Sequence, residues 1–129
     1  MSSNLKTADF DASILPYKII TDSAIGAAAI VDVTQESGTL YYVTVDAVTG
    51  ISHDYFLKLC LTSSEITVGT TVHDICFKVK QGKVTKASFP GGIPFSSLSA
   101  WVVDDASEQS SAHTTSGNSA SITLTMVTT

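Results

Sequence analysis

The sequence predicts an all-β fold, an antiparallel two-sheet sandwich of jelly-roll-like form with about eight strands. Three observations predict it. Apolar residues alternate with period two: Tyr55, Leu57, Leu59 and Leu61 share one face of YFLKLCL, and Ile75, Phe77 and Val79 share one face of ICFKV. Ser and Thr number 18 and 17, and Val and Ile are frequent, so stiff residues that fit a pleated sheet dominate. Gly- and Pro-bearing breaks punctuate the runs, and no run carries a convincing helical repeat. An immunoglobulin-like sandwich is the alternative, because strand order is not written in the spacing.

Taken in order, residues 1–13 are polar and aperiodic and read as an extended N-terminal arm, with 14–129 as a single domain. Phe10 and Ile14-Leu15-Pro16 mark where the arm meets the body. Pro16 pushes Leu15 into extended backbone, and the first strand follows at Tyr17–Ile20. Ala24–Val33 is a small-apolar run ending in β-branched residues and is read as a strand. Gln35–Gly38 is a turn. Thr39–Ala47 alternates Tyr41, Val43 and Val45 against Tyr42, Thr44 and Asp46, and Val48-Thr49-Gly50 turns again. The central pair follows, then a hairpin at Gln81-Gly82 and a strand from Val84 to Phe89. Pro90–Pro94 is expected to break regular structure, since two prolines lack donors and two glycines favour positive φ. Phe95–Val103 makes another strand, Asp104–Asn118 a long polar connection, and Ser119–Val127 the last strand.

A chain of 129 residues is one domain by default and buries roughly 65–70% of its unfolded surface without a metal or a disulfide. Net charge is −5 and there is no Arg. Nucleic-acid binding favours a basic stripe with Arg for bidentate contacts, so no nucleic acid is expected as principal partner. Lys78, Lys80, Lys83 and Lys86 form the one basic cluster, read as the wet side of a hairpin. No stretch approaches the roughly 20 apolar residues of a membrane span, so no membrane association is expected. The first residues lack the apolar core of a signal peptide, so synthesis and assembly are expected in a cytoplasm. In such a reducing compartment, Cys60 and Cys76 are expected to be free thiols.

Chemistry has few places to reside. His53-Asp54 and His73-Asp74 begin the two central strands and would converge as a metal site only if those strands ran parallel. They are read as surface residues at strand starts, and His113 as a loop residue. Asp104, Asp105 and Glu108 lack EF-hand spacing. Gly91-Gly92 has no phosphate-loop lysine after it, and no serine stands in a nucleophile elbow. No enzyme activity and no cofactor are expected. Trp101, Tyr41, Tyr42 and Tyr55 could build a sugar platform, or Trp101 could lie in a core or a subunit interface.

YFLKLCL, then Val68-Gly69-Thr70, then FPGGIPFSSLS, then a loop of acids and threonines, then SASITLT resembles a group of small β-sandwich virion proteins of tailed phages. In that group a YLKLY-type strand precedes a VGT turn, a PxGIxF turn, a Gly-Leu-Ser strand and an Asp/Thr-rich loop. The resemblance covers Tyr55 to Thr125. It departs at Val72-His73, where a proline is usual, and at Ser97, where a glycine is usual. The resemblance implies a virion structural protein, for which the first expectation is a capsid decoration (cement) protein on the outer head that stabilises capsomer contacts. It further implies the major capsid protein as partner, a homotrimer, and a virion location after assembly in the bacterial host. A neck, tail or fibre-base component is the alternative within the virion, and a carbohydrate-binding module the alternative of another class. Phe10, Leu15, Pro90, Ile93, Phe95 and Trp101 are the expected interface residues, with the N-terminal arm carrying much of the particle contact.

Overall fold

The computed structural model describes residues 5–9, 17–25, 29–48, 54–103 and 122–129, the side chains of residues 8 and 9 excepted. Among these there is no helix, and eight strands are present. They are β1 (Leu5–Asp9), β2 (Lys18–Asp22), β3 (Gly38–Asp46), β4 (Tyr55–Cys60), β5 (Ile75–Val79), β6 (Val84–Phe95), β7 (Ser99–Val103) and β8 (Thr123–Thr128). A five-stranded sheet runs β1-β2-β8-β3-β6, and a three-stranded sheet runs β5-β4-β7.

The pairings have a simple logic. From β2 onward, the first half of the chain pairs antiparallel with the second half in reverse order: β2 with β8, Ile30 with Ala100 of β7, β3 with β6, and β4 with β5. That is one long hairpin. Two further pairings, β3 with β8 and β4 with β7, roll it into two facing sheets. A hairpin rolled in this way is a jelly roll. Residues 29–33 stand where a fourth strand of the smaller sheet belongs.

Residues 29–33 pair only briefly with β7. The Ile30 and Ala100 N–H groups each donate to the other's carbonyl at 2.9 Å, and the Val33 N–H donates to the Leu98 carbonyl at 2.9 Å. Asp32 then turns with φ 49°, pinned by its N–H on Ser99 Oγ (3.0 Å) and by Ser97 Oγ donating to its Oδ1 (3.1 Å). Where a strand is expected over Ala24–Val33, the described residues hold only an isolated bridge at Ile30. Among the described residues of that span Ile25, Ile30 and Val33 reach the core, while its small side chains offer a pleated surface little to pack.

Between the sheets lie Ile20, Leu40, Val43, Val45, Leu124 and Met126 from the larger sheet, and Tyr55, Leu57, Leu59, Val79, Ala100 and Val102 from the smaller. Alternation holds on the larger sheet. It fails on the smaller, where Lys58, Cys60, Trp101 and Val103, on the opposite face, are also buried. Cys60, Trp101 and Val103 form a second apolar layer with Ala29, Ile66 and Val68. The connection between β4 and β5 thus covers the outer face of the small sheet. Both thiols are free.

Two further expectations change. Leu5–Asp9, expected within an irregular arm, is strand β1, paired antiparallel with β2 from Leu5↔Asp22 to Asp9↔Lys18. Pro90–Pro94, expected to break regular structure, lies inside the 12-residue strand β6. β6 is the edge of its sheet, where a proline removes no ladder bond from an inner neighbour.

Candidate functional site

The outer face of the larger sheet is built by register. Residues directly opposite in antiparallel strands share a face, and Lys6, Thr21, Thr125, Thr44 and Lys86 form one row across all five strands. Ile19, Val127, Tyr42 and Ser88 form the next row, and Thr123, Asp46 and Val84 another. Lysines stand only at the two edge strands. Apart from Tyr42 and the exposed Asp46, the middle is methyl and hydroxyl, carried by β-branched side chains with little rotamer freedom to lose on contact. A charge-poor, preordered surface of this kind has the composition of an interface centre.

That face continues onto an irregular corner. Leu40 pairs with Ile93 while Tyr42 pairs with Ser88, so Phe89, Pro90, Gly91 and Gly92 stand opposite Tyr41 alone. Gly91 and Gly92 both adopt φ 80°. A Cβ on Gly92 would lie 2.1 Å from Thr39 Cγ2 and 2.9 Å from Tyr41 Cε1, so both side chains close over the bare glycine. Tyr41 in turn meets Tyr17 edge to face, with ring centroids 5.4 Å apart. Pro90 and Pro94 are exposed, and Ile93 is half-buried.

Of the six expected interface residues, Pro90 and Ile93 lie together on this corner. Phe95 and Trp101 do not belong to any surface: they are 5% and 1% exposed. Phe95 turns inward opposite Gly38 at the end of β6, and Trp101 is sealed into the second layer. The expectation that they form an interface is corrected on that ground. Phe10 and Leu15 lie outside the described residues. A sugar platform is likewise deprived of Trp101 and of Tyr55, which is fully buried. Thr21, Thr44, Thr125, Ile19 and Val127 were not singled out from sequence. Their alternation with buried partners in β2, β3 and β8 was the available signal.

Asp54 and Asp74 do not meet. β4 and β5 run antiparallel, which sets Asp54 and Asp74 at opposite ends of the small sheet. Asp54 accepts the Gln81 N–H at 2.8 Å and lies 3.3 Å from Lys78 Nζ. That N–H, with the Lys78 ammonium, holds its carboxyl below the usual carboxylate range. Asp74 accepts the Leu61 N–H at 2.7 Å. His53 lies outside the described residues. Among the described residues, no group of three or more His, Cys, Asp and Glu converges as a metal site would require.

Lys58 is 1% exposed, with Cys76 across one strand and Trp101 across the other. Burial pushes the Cys76 thiol up, against the opposing influence of the Lys58 ammonium. Asp22 is also fully buried. Its Oδ1 accepts the Ala24 N–H at 2.9 Å, while its Oδ2 has no partner among the described residues.

The fold and surface together define an all-β jelly roll with a charge-poor outer face on its larger sheet. Comparison with protein-family models, with curated proteins and with solved structures returns no match.

Proposed function

We propose that this chain is a structural protein of a phage virion, a capsid decoration protein that acts as a homotrimer on the outer head and bridges capsomers of the major capsid protein. The observation that carries the reading is where the resembling motifs fall. YFLKLC is β4, the central strand of the small sheet. Val68-Gly69-Thr70 lies in the connection that covers that sheet's outer face, with Gly69 at φ 96°. FPGGIPF is the irregular corner of β6. The serines after it lead into β7, and SITLT leads into β8. Each motif thus occupies a point of the roll that a different sequence would shape differently.

The surface supports the same reading. A face of threonine, isoleucine and valine between two marginal lysines suits a permanent contact with another protein. It offers little charge for a polyanion. The test is copy number. Quantitative gel analysis of purified particles should show hundreds of copies per head, and purified protein should bind heads that lack it. A dozen copies or fewer would assign the chain to the neck or tail, and its absence from particles would overturn the virion reading.

A further inference from the structure

We propose that β1 is an exchangeable strand, so that Leu5–Asp9 of one copy pairs on β2 of a second copy and interlocks the oligomer. Sheet geometry and burial carry this, with no appeal to the particle. β1 is the outermost strand of the larger sheet, and its one ladder partner is β2. Thr7 lies on the inward side opposite Ile20, which is fully buried, yet Thr7 itself is exposed. Of its described side chains, Leu5 alone packs against the core.

What β1 covers favours its release. Asp22, directly opposite Leu5, is fully buried, and among the described residues its Oδ2 has no partner. A buried carboxylate oxygen without a donor is costly. When β1 lifts, water reaches that oxygen, which offsets part of the lost pairing. β2 then presents an open edge that selects an antiparallel strand with an apolar residue opposite Asp22.

The occupant fitting that edge is another β1. Residues 10–16 separate β1 from the first described residue before β2. Seven residues reach roughly 25 Å when extended, well beyond the two to five residues or so of an ordinary hairpin loop. An exchanged β1 reproduces every hydrogen bond and the Leu5 contact, so the swap sacrifices no interface and adds a tether between copies.

Lys6 and Thr21 provide the test, because they are opposite one another and lie on the outer face. Opposed residues in antiparallel strands have Cα atoms about 4.5–5.5 Å apart, within disulfide reach. Full-length Lys6→Cys/Thr21→Cys protein is made in natural-isotope and 15N forms. The two are mixed unfolded, co-refolded at high concentration and oxidised, and the disulfide-linked peptides are read by mass spectrometry. Exchange predicts that about half of the 6–21 linkages join a light to a heavy chain, as random assortment of copies in a dimer requires. Linkages only within light or within heavy chains would overturn it. If the double variant does not fold, the single variants Lys6→Cys and Thr21→Cys are co-refolded instead. A 6–21 disulfide between them needs exchange, and its absence refutes the proposal. Either result is independent of whether the protein binds heads.

Discussion

At Gly92 a single missing methyl group decides the shape of the corner. Its φ of 80° and the 2.1 Å approach of Thr39 Cγ2 to a virtual Cβ act separately. Gly91 shares the φ of 80° but has open space around it. Gly91→Ala should therefore cost only backbone strain, about 1–3 kcal/mol. Gly92→Ala should cost that and about 1–3 kcal/mol more, because Thr39 and Tyr41 must move. Urea denaturation of the two variants checks the difference, and equal losses would refute the close approach. Trp101 gives a second residue-scale test. Buried in the outer layer, it should lose about 3–5 kcal/mol on Trp101→Ala, where an exposed platform Trp would lose little. Its burial was partly legible, since Trp101-Val102-Val103 is a continuous apolar run, as in a strand covered on both faces. Lys58 was not legible. A lysine between Leu57 and Leu59 reads as the wet face, and its 1% exposure depends on the outer face of the small sheet being covered, which alternation does not record.

Among the elements, β3, β4, β5 and β8 were legible because one side of each packs on the core and alternation records it. β6 was misread at Pro90–Pro94 because a proline's meaning depends on whether its strand is internal or at an edge, which is a property of the sheet. β1 has the converse problem: it is strand by pairing, while its sequence carries almost no core face. The hairpin from β5 to β6 is shaped by polar contacts. Gly82 N–H donates to the Ala47 carbonyl and Ala47 N–H to the Lys83 carbonyl, both at 3.0 Å. Asp54 adds its acceptor for the Gln81 N–H and its ion pair with Lys78. The Asp54 carboxyl is held below its ordinary value of 3.8, with the Gln81 N–H the largest cause. A depressed folded-state value means that the carboxylate's stabilising effect is present above the unfolded value and is lost as pH falls through the folded one. Asp54→Asn should therefore melt below the parent at neutral pH. The two melting curves should converge as pH drops below 3.8. A constant gap across that range would mean that the charge plays no part.

For the whole molecule, a rolled hairpin makes position in the chain a poor guide to importance. The alternating runs identified a sandwich, but no local signal says that β8 lies between β2 and β3; that order emerges only when both halves of the chain pair. The consequence is a sharp asymmetry between the two ends. Thr123–Thr129 is seven residues at one terminus, a segment whose removal many domains tolerate. Here it contains β8, which is paired on both sides, from Lys18↔Thr128 to Asp22↔Leu124 and from Leu40↔Thr128 to Asp46↔Thr123. It brings Leu124 and Met126 into the core, both fully buried. Losing two such side chains costs about 4–10 kcal/mol, comparable to the whole stability of a small domain. The ladder bonds of β2 and β3 to β8 vanish as well. Removing residues 1–9 instead strips one edge strand and the half-buried Leu5. The expected outcome is that the chain ending at Ile122 shows no cooperative thermal transition, while the chain beginning at Phe10 keeps one within a few degrees of the parent. Circular dichroism melts of both truncations make the comparison. A cooperative transition without β8 would mean that β2 and β3 close on each other, and the roll described above would then be the wrong account of what holds this fold together.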